Sequence, residues 1–108
     1  MTNKMIITTG NDIPGKHIKE VLGIVKGNTV RVKNVGIDII ASFKNFIGGE
    51  VKSYTDMSVR AREEALDRMQ EEAKKLKADA VIGVRFSTSV IMQGASEMLA
   101  YGTAVKLK

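Results

Sequence analysis

Arg60–Phe86, RAREEALDRMQEEAKKLKADAVIGVRF, decides the fold, because within it the spacing of apolar residues changes from four to two. The wider spacing runs through Met57, Ala61, Ala65, Met69 and Ala73, with Leu66 and Leu76 broadening the stripe, and predicts a helix with one buried face. Thr55 to Ser58 supply short polar side chains that accept hydrogen bonds from a first turn, so the helix is expected to start there. Glu64 with Arg68 and Glu71 with Lys75 stand four apart with the acid first, the favoured order on a wet face. From Ala80 the period becomes two. Ala80, Ile82, Val84, Phe86, Val90 and Met92 share one side of a strand ending at Met92, and that side is expected to receive the helix. Val81, Gly83, Arg85, Ser87, Ser89 and Ile91 form the other side, neither cleanly wet nor cleanly dry.

Working outward, Lys4 to Thr8 is β-branched and apolar and reads as a strand, followed by a loop from Gly10 to Gly15 that contains Pro14. His17 to Val32 reads as a long strand or bent ribbon. Val21, Gly23 and Val25 fall on one side and Ile18, Leu22 and Ile24 on the other, so its middle is apolar on both faces. Gly23 suits a bulge or a close backbone approach, and Gly27-Asn28 suits a turn or kink. In Val35–Ile47, alternation fails at Asn45, while Ile39, Phe43, Phe46 and Ile47 give a helical stripe that stops at Gly48-Gly49. Glu50 to Tyr54 is then a link to the long helix. Beyond Met92, Gln93 to Ser96 is a turn and Met98 to Lys106 a last strand. The expectation is one α+β domain over residues 1–108, with element order ββααββ and an antiparallel sheet packed by one long and one short helix.

Composition removes several function classes. The chain of 108 residues has no cysteine and one histidine, so disulfides, thiolate metal sites and thiol nucleophiles are excluded. A reduced, cytoplasmic setting is the default expectation, and no window approaches the roughly 18 apolar residues that cross a bilayer. The formal charge of +5 is an N-terminal excess, yet Lys4, Lys16, Lys19, Lys26, Arg31, Lys33, Lys44 and Lys52 are scattered. No aromatic stripe accompanies them to stack bases, so solubility explains the charge better than nucleic-acid binding.

Six stretches, MIITT at the start, LGIVKG, ASF…IGGE, REEAL…EEAKKL, ADAVIGV and the closing YGTAVKL, resemble the YbjQ-like family in their order, from Met5 to Leu107. These are small bacterial proteins that carry a heavy-metal-binding label. The resemblance implies a dodecin-like α+β subunit that assembles into a homopentamer around a central axis, and it implies no catalytic activity. The chain departs from the family pattern at Lys77, where a glycine commonly precedes ADAV. A left-handed conformation there should cost about 1 kcal/mol relative to glycine.

Candidate chemistry is thin. Metal sites want several soft or imidazole ligands, and His17 is the only imidazole. A site on a symmetry axis, built from copies of His17 or a carboxylate, is the remaining route. The row Glu63, Asp67 and Glu71 offers oxygen ligands to a hard cation, although a solvated helix face explains it as well. Gly48-Gly49, flanked by Ser42, Lys44 and Lys52, suits an anion pocket, although a helix stop explains the glycines. No nucleophile stands beside a base and no paired carboxylates stand apart, so no enzyme and no cofactor is expected. Val21, Val25, Val81 and Ile91 are apolar positions left over once one helix layer is placed, and a neighbouring subunit is expected to cover them. The function expected is therefore a homo-oligomeric ligand-binding or assembly module. Metal or small-anion sensing at subunit junctions is the alternative.

Overall fold

The computed structural model describes residues 5–32, 49–92 and 94–108, so the short helix expected over Val35–Ile47 lies outside the described residues. The described elements are β1 (Ile6–Ile7), β2 (Ile18–Val32), α1 (Gly49–Lys75), β3 (Ala80–Met92) and β4 (Ala95–Leu107). They form an α+β fold in which α1 packs on a four-stranded sheet of order β1-β3-β4-β2. The sheet is mixed, which corrects the antiparallel expectation: β1 runs parallel to β3, while β4 is antiparallel to both β3 and β2. The reason is the loop after β1. It is too long for a tight hairpin, and it carries the chain from one edge of the sheet to the other, where β2 begins.

The helix begins at Gly49, six positions before Thr55, so Glu50 to Tyr54 is helix and not link. No Gly or Pro interrupts the sequence from Glu50 to Lys75, and a helix already under way has nothing there to stop it. With 27 residues it is about 40 Å long. Its end is a Schellman cap. The Ala78 N–H donates to the Ala73 carbonyl at 3.0 Å and the Lys77 N–H to that of Lys74 at 2.9 Å. Lys77 takes the left-handed position with φ 61°, a conformation for which a side chain is unfavourable.

Most of the predicted stripe is buried: Ala61, Ala65, Met69 and Ala73 form the core with Val25 of β2, Val81 and Val84 of β3, and Met98, Ala100 and Ala104 of β4, whereas Leu76, expected to broaden the stripe, lies past the end of α1 and is 43% exposed. Small residues let the helix approach closely. A Cβ added to Gly27 would lie 2.3 Å from the Met69 nitrogen and 2.4 Å from the Ala65 carbonyl oxygen. Strand backbone therefore touches helix backbone at Gly27, which lies inside a continuous β2 and is not the turn its Gly-Asn sequence suggests. One step along, buried Thr29 donates its hydroxyl to the Ala61 carbonyl at 3.3 Å, so the hydroxyl is satisfied inside the core.

Two irregularities set which side chains face α1. The β2–β4 register shifts between Val21 and Gly23, as the glycine there suggested. The β3–β4 register shifts between Ile82 and Arg85, where Gly83 has φ 62°. The extra residue in β3 reverses the alternation, which corrects the expected helix-facing set. Val81, Val84, Phe86, Thr88 and Val90 now share the helix side, and Ile82 turns to the other. That opposite face carries Ile24, Lys26, Asn28 and Val30 of β2, Glu97, Leu99 and Tyr101 of β4, and Arg85, Ser87 and Ser89 of β3. α1 lies over β2 and β4 and hardly reaches β3.

Candidate functional site

Because α1 sits to one side, a trough opens between Met57–Ser58 in its third turn and the end of the β3–β4 hairpin. Met57 and Ser58 form one wall, and Val90, Met92, Ala95 and Ser96 form the other, around about 250 Å³. Val90 is 80% exposed and Met92 64% exposed. Towards the core the trough narrows to about 30 Å³ between Arg31, Ala61, Thr88 and Met98, room for about one water molecule. The Thr88 hydroxyl lies 3.3 Å from the Met98 sulfur, a weak acceptor.

The polar rim is built by β2 and α1. The Arg31 guanidinium pairs with Glu64, whose other oxygen takes Arg68 at 2.8 Å. Arg68 also donates to the Asn28 carbonyl at 2.6 Å, and the Asn28 amide donates to Glu97 at 3.1 Å. The alternation of β2 explains the arrangement, since Thr29 and Arg31 share the face that α1 covers while Asn28 projects to the other. These ion pairs are part exposed, so each contributes about 1 kcal/mol or less to stability. The Glu64–Arg68 pair read from spacing is present. Lys75 pairs with Glu72 at 3.1 Å, three residues back, in place of Glu71.

The structure brings few of the predicted site residues together. Glu63, Asp67 and Glu71 lie on an exposed face of α1, the outer two separated by about 12 Å of helix rise. Among the described residues, no three His, Asp or Glu side chains converge as a metal cluster. His17 is exposed, and its carbonyl accepts the Lys108 N–H at 2.9 Å. Ser42, Lys44 and Gly48 lie outside the described residues, while Gly49 and Lys52 belong to the opening turns of α1. Of the four positions expected to meet a neighbour, Val25 and Val81 are 3% and 0% exposed inside the chain's own core. The bulges account for this, because they turn both towards α1; Val21 and Ile91 are exposed.

Sequence reading missed Arg31, Ser58, Thr88 and Ser96, each an ordinary polar residue at its place in the chain. The trough exists only because β2, α1 and the hairpin converge there, and no local spacing marks it. Among the described residues, no helix is long and apolar enough to cross a membrane.

Comparison with known proteins places these features in context. A family model described as "Putative heavy-metal-binding" matches residues 5–108. A protein of Thermotoga maritima named UPF0145 protein is 60% identical over 104 residues, covering 96% of this chain and 98% of its own length. Another of that name, from Archaeoglobus fulgidus, is 57% identical over 108 residues and covers the whole of both chains. Among solved structures, a Pediococcus pentosaceus protein of unknown function in the DUF74 family superposes with a TM-score of 0.66 at 20% identity. That match covers 96% of this chain and 98% of the other, and it bears on the fold alone.

Proposed function

The chain belongs to the YbjQ_1 family, and from that premise we propose that it works without catalysis, as a subunit of a homo-oligomeric ring whose ligand site closes when copies meet. A pentamer is the size that its resemblance to the family implies. The observation that carries the reading is apolar surface left bare on the sheet: Val90 is 80% exposed, Ile24 78%, Met92 64% and Val21 63%. These residues lie on β2 and β3, either side of β4, and a ring gives every copy two neighbours to cover them where a two-fold dimer gives one.

Exposed Phe86, Val90 and Met92 beside the trough are the apolar surface such contacts would cover. A neighbour seated there roofs the trough and turns an open channel into a pocket for a small ligand. Light scattering at micromolar protein tests the assembly, with a mass several times 11.8 kDa expected. A mass near 11.8 kDa would overturn the reading.

A second reading, soft-metal binding, is favoured by one observation. Met57 and Met92 line the trough and Met98 its inner end, although Met57 is far from the other two in sequence. Thioethers favour monovalent copper and silver. Calorimetry with silver(I) should then show binding heat that Met57→Leu with Met92→Leu abolishes. No heat with the unaltered protein removes this reading.

A further inference from the structure

The ends of the sheet are unequal in a way that identifies how copies meet. Backbone hydrogen bonds cover the outer edge of β3 only at its start: Thr8 bonds Val81 and Val84 at 3.0 Å, and Gly10 bonds Gly83 at 2.8 Å. Beyond Val84, no strand among the described residues pairs with that edge. The open segment, Phe86–Met92, reads FSTSVIM, with no charge, no proline and no glycine. A long uncharged edge of this composition is what soluble proteins ordinarily protect, because it offers a row of free N–H and C=O groups to any other strand. The opposite edge of the sheet, the outer side of β2, is also unpaired among the described residues.

We propose that the outer edge of β3 at Phe86–Met92 pairs with the outer edge of β2 in a second copy of this chain, and that the two strands run parallel. The inference rests on the self-assembly reading above and adds the surfaces and their sense. β2 and β3 are both antiparallel to β4, and so are parallel to each other. Rotation about a ring axis that runs along the strands preserves their sense, so in such a ring β3 of one copy meets β2 of the next in parallel. The covering helix selects the same partner. α1 sits over β2 and β4 and leaves Phe86, Thr88 and Val90 bare on the same face. Adding the next copy's β2 to β3 brings that copy's helix, already seated on its β2, alongside this bare row. One contact thus satisfies the open edge, covers the exposed apolar residues and roofs the trough.

The absence of cysteine makes thiol cross-linking a direct test. Ser87→Cys or Ser89→Cys is combined with Ile24→Cys, Lys26→Cys, Asn28→Cys or Val30→Cys in one chain, all on the sheet face away from α1. Within a chain, Ser89 and Val30 both oppose Glu97, and Ser87 and Asn28 both oppose Leu99. Their Cα atoms are therefore two strand spacings apart, roughly 9.6 Å, beyond the roughly 7 Å that a disulfide spans. Mild oxidation should link copies into a ladder in at least one double variant, up to the ring size, while the single variants Ser87→Cys and Ser89→Cys give none. Independently, Val90→Lys should shift the scattering mass to that of a monomer with helical circular dichroism unchanged. Dimers from Ser89→Cys alone would show β3 edges meeting across a two-fold axis and overturn the proposal. An assembled protein in which no double variant cross-links, or in which Val90→Lys leaves the mass unaltered, also overturns it while leaving self-assembly intact. A monomeric unaltered chain overturns both.

Discussion

The two long sides of the sheet solve the same problem differently. Under α1, β2 and the helix meet backbone to backbone at Gly27, and the residues around the contact are buried to the last atom: Ala65, Met69, Ala73 and Ala100 are all 0% exposed. Along the far half of β3, on the same face, Phe86 is 43% exposed and Val90 is barely covered. Hydrophobic patterning is similar on both sides. What differs is the cover, since one helix of this width seals two strands and not three. The sealed side has its helix layer within one chain, whereas the open side has the chemistry of an interior without the layer that would make it one.

The comparison breaks most severely at Gly27. Gly27→Val forces a branched side chain into the helix backbone, with nothing flexible to yield, and should cost about 3 kcal/mol or more by overpacking. Thermal and urea melts would show the chain largely unfolded, and a stable Gly27→Val would mean that α1 does not sit on β2. Next in size, Met69→Ala empties the middle of the sealed side and should cost about 2–5 kcal/mol, read as a lower urea midpoint at constant slope. Val90→Lys is the contrasting change on the open side. Its effect on the fold of a single chain should stay within about 0.5 kcal/mol, because the site is exposed, so any large change must appear in mass. The smallest effect has the opposite sign: Lys77→Gly relieves the left-handed residue at the end of α1 and should stabilise by about 1 kcal/mol. A melting temperature that falls in Lys77→Gly would contradict the cap.

Much of the sealed side was legible before any coordinates. Four-residue spacing from Ala61 to Ala73 and the strand from Ala80 to Met92 stand where periodicity placed them. The left-handed Lys77 stands where the family resemblance implied a glycine. Elsewhere, local signals competed with tertiary ones. Gly27-Asn28 carries the chemistry of a turn, yet its glycine is there because the helix leaves no room for a Cβ, and only packing reveals that. Gly83 lies at a bulge that reverses β3, so an unbroken count by twos assigned Ile82 and Val81 to the wrong faces. Thr55 to Ser58 offers caps that a helix already begun at Gly49 does not need. The trough was illegible for a simpler reason: Arg31, Met57, Thr88 and Ser96 come from four elements, and no short spacing joins them.

Hydrogen–deuterium exchange across Ser87–Met92, followed as a function of protein concentration, tests the central claim most directly. In a lone chain only alternate amides of this segment bond to β4, and the rest face water. Slow exchange throughout the segment at micromolar protein is predicted, with its outward amides and those of the outer edge of β2 becoming fast on dilution or in Val90→Lys while α1 stays protected. Outward amides that exchange at unprotected rates at every concentration would contradict the account.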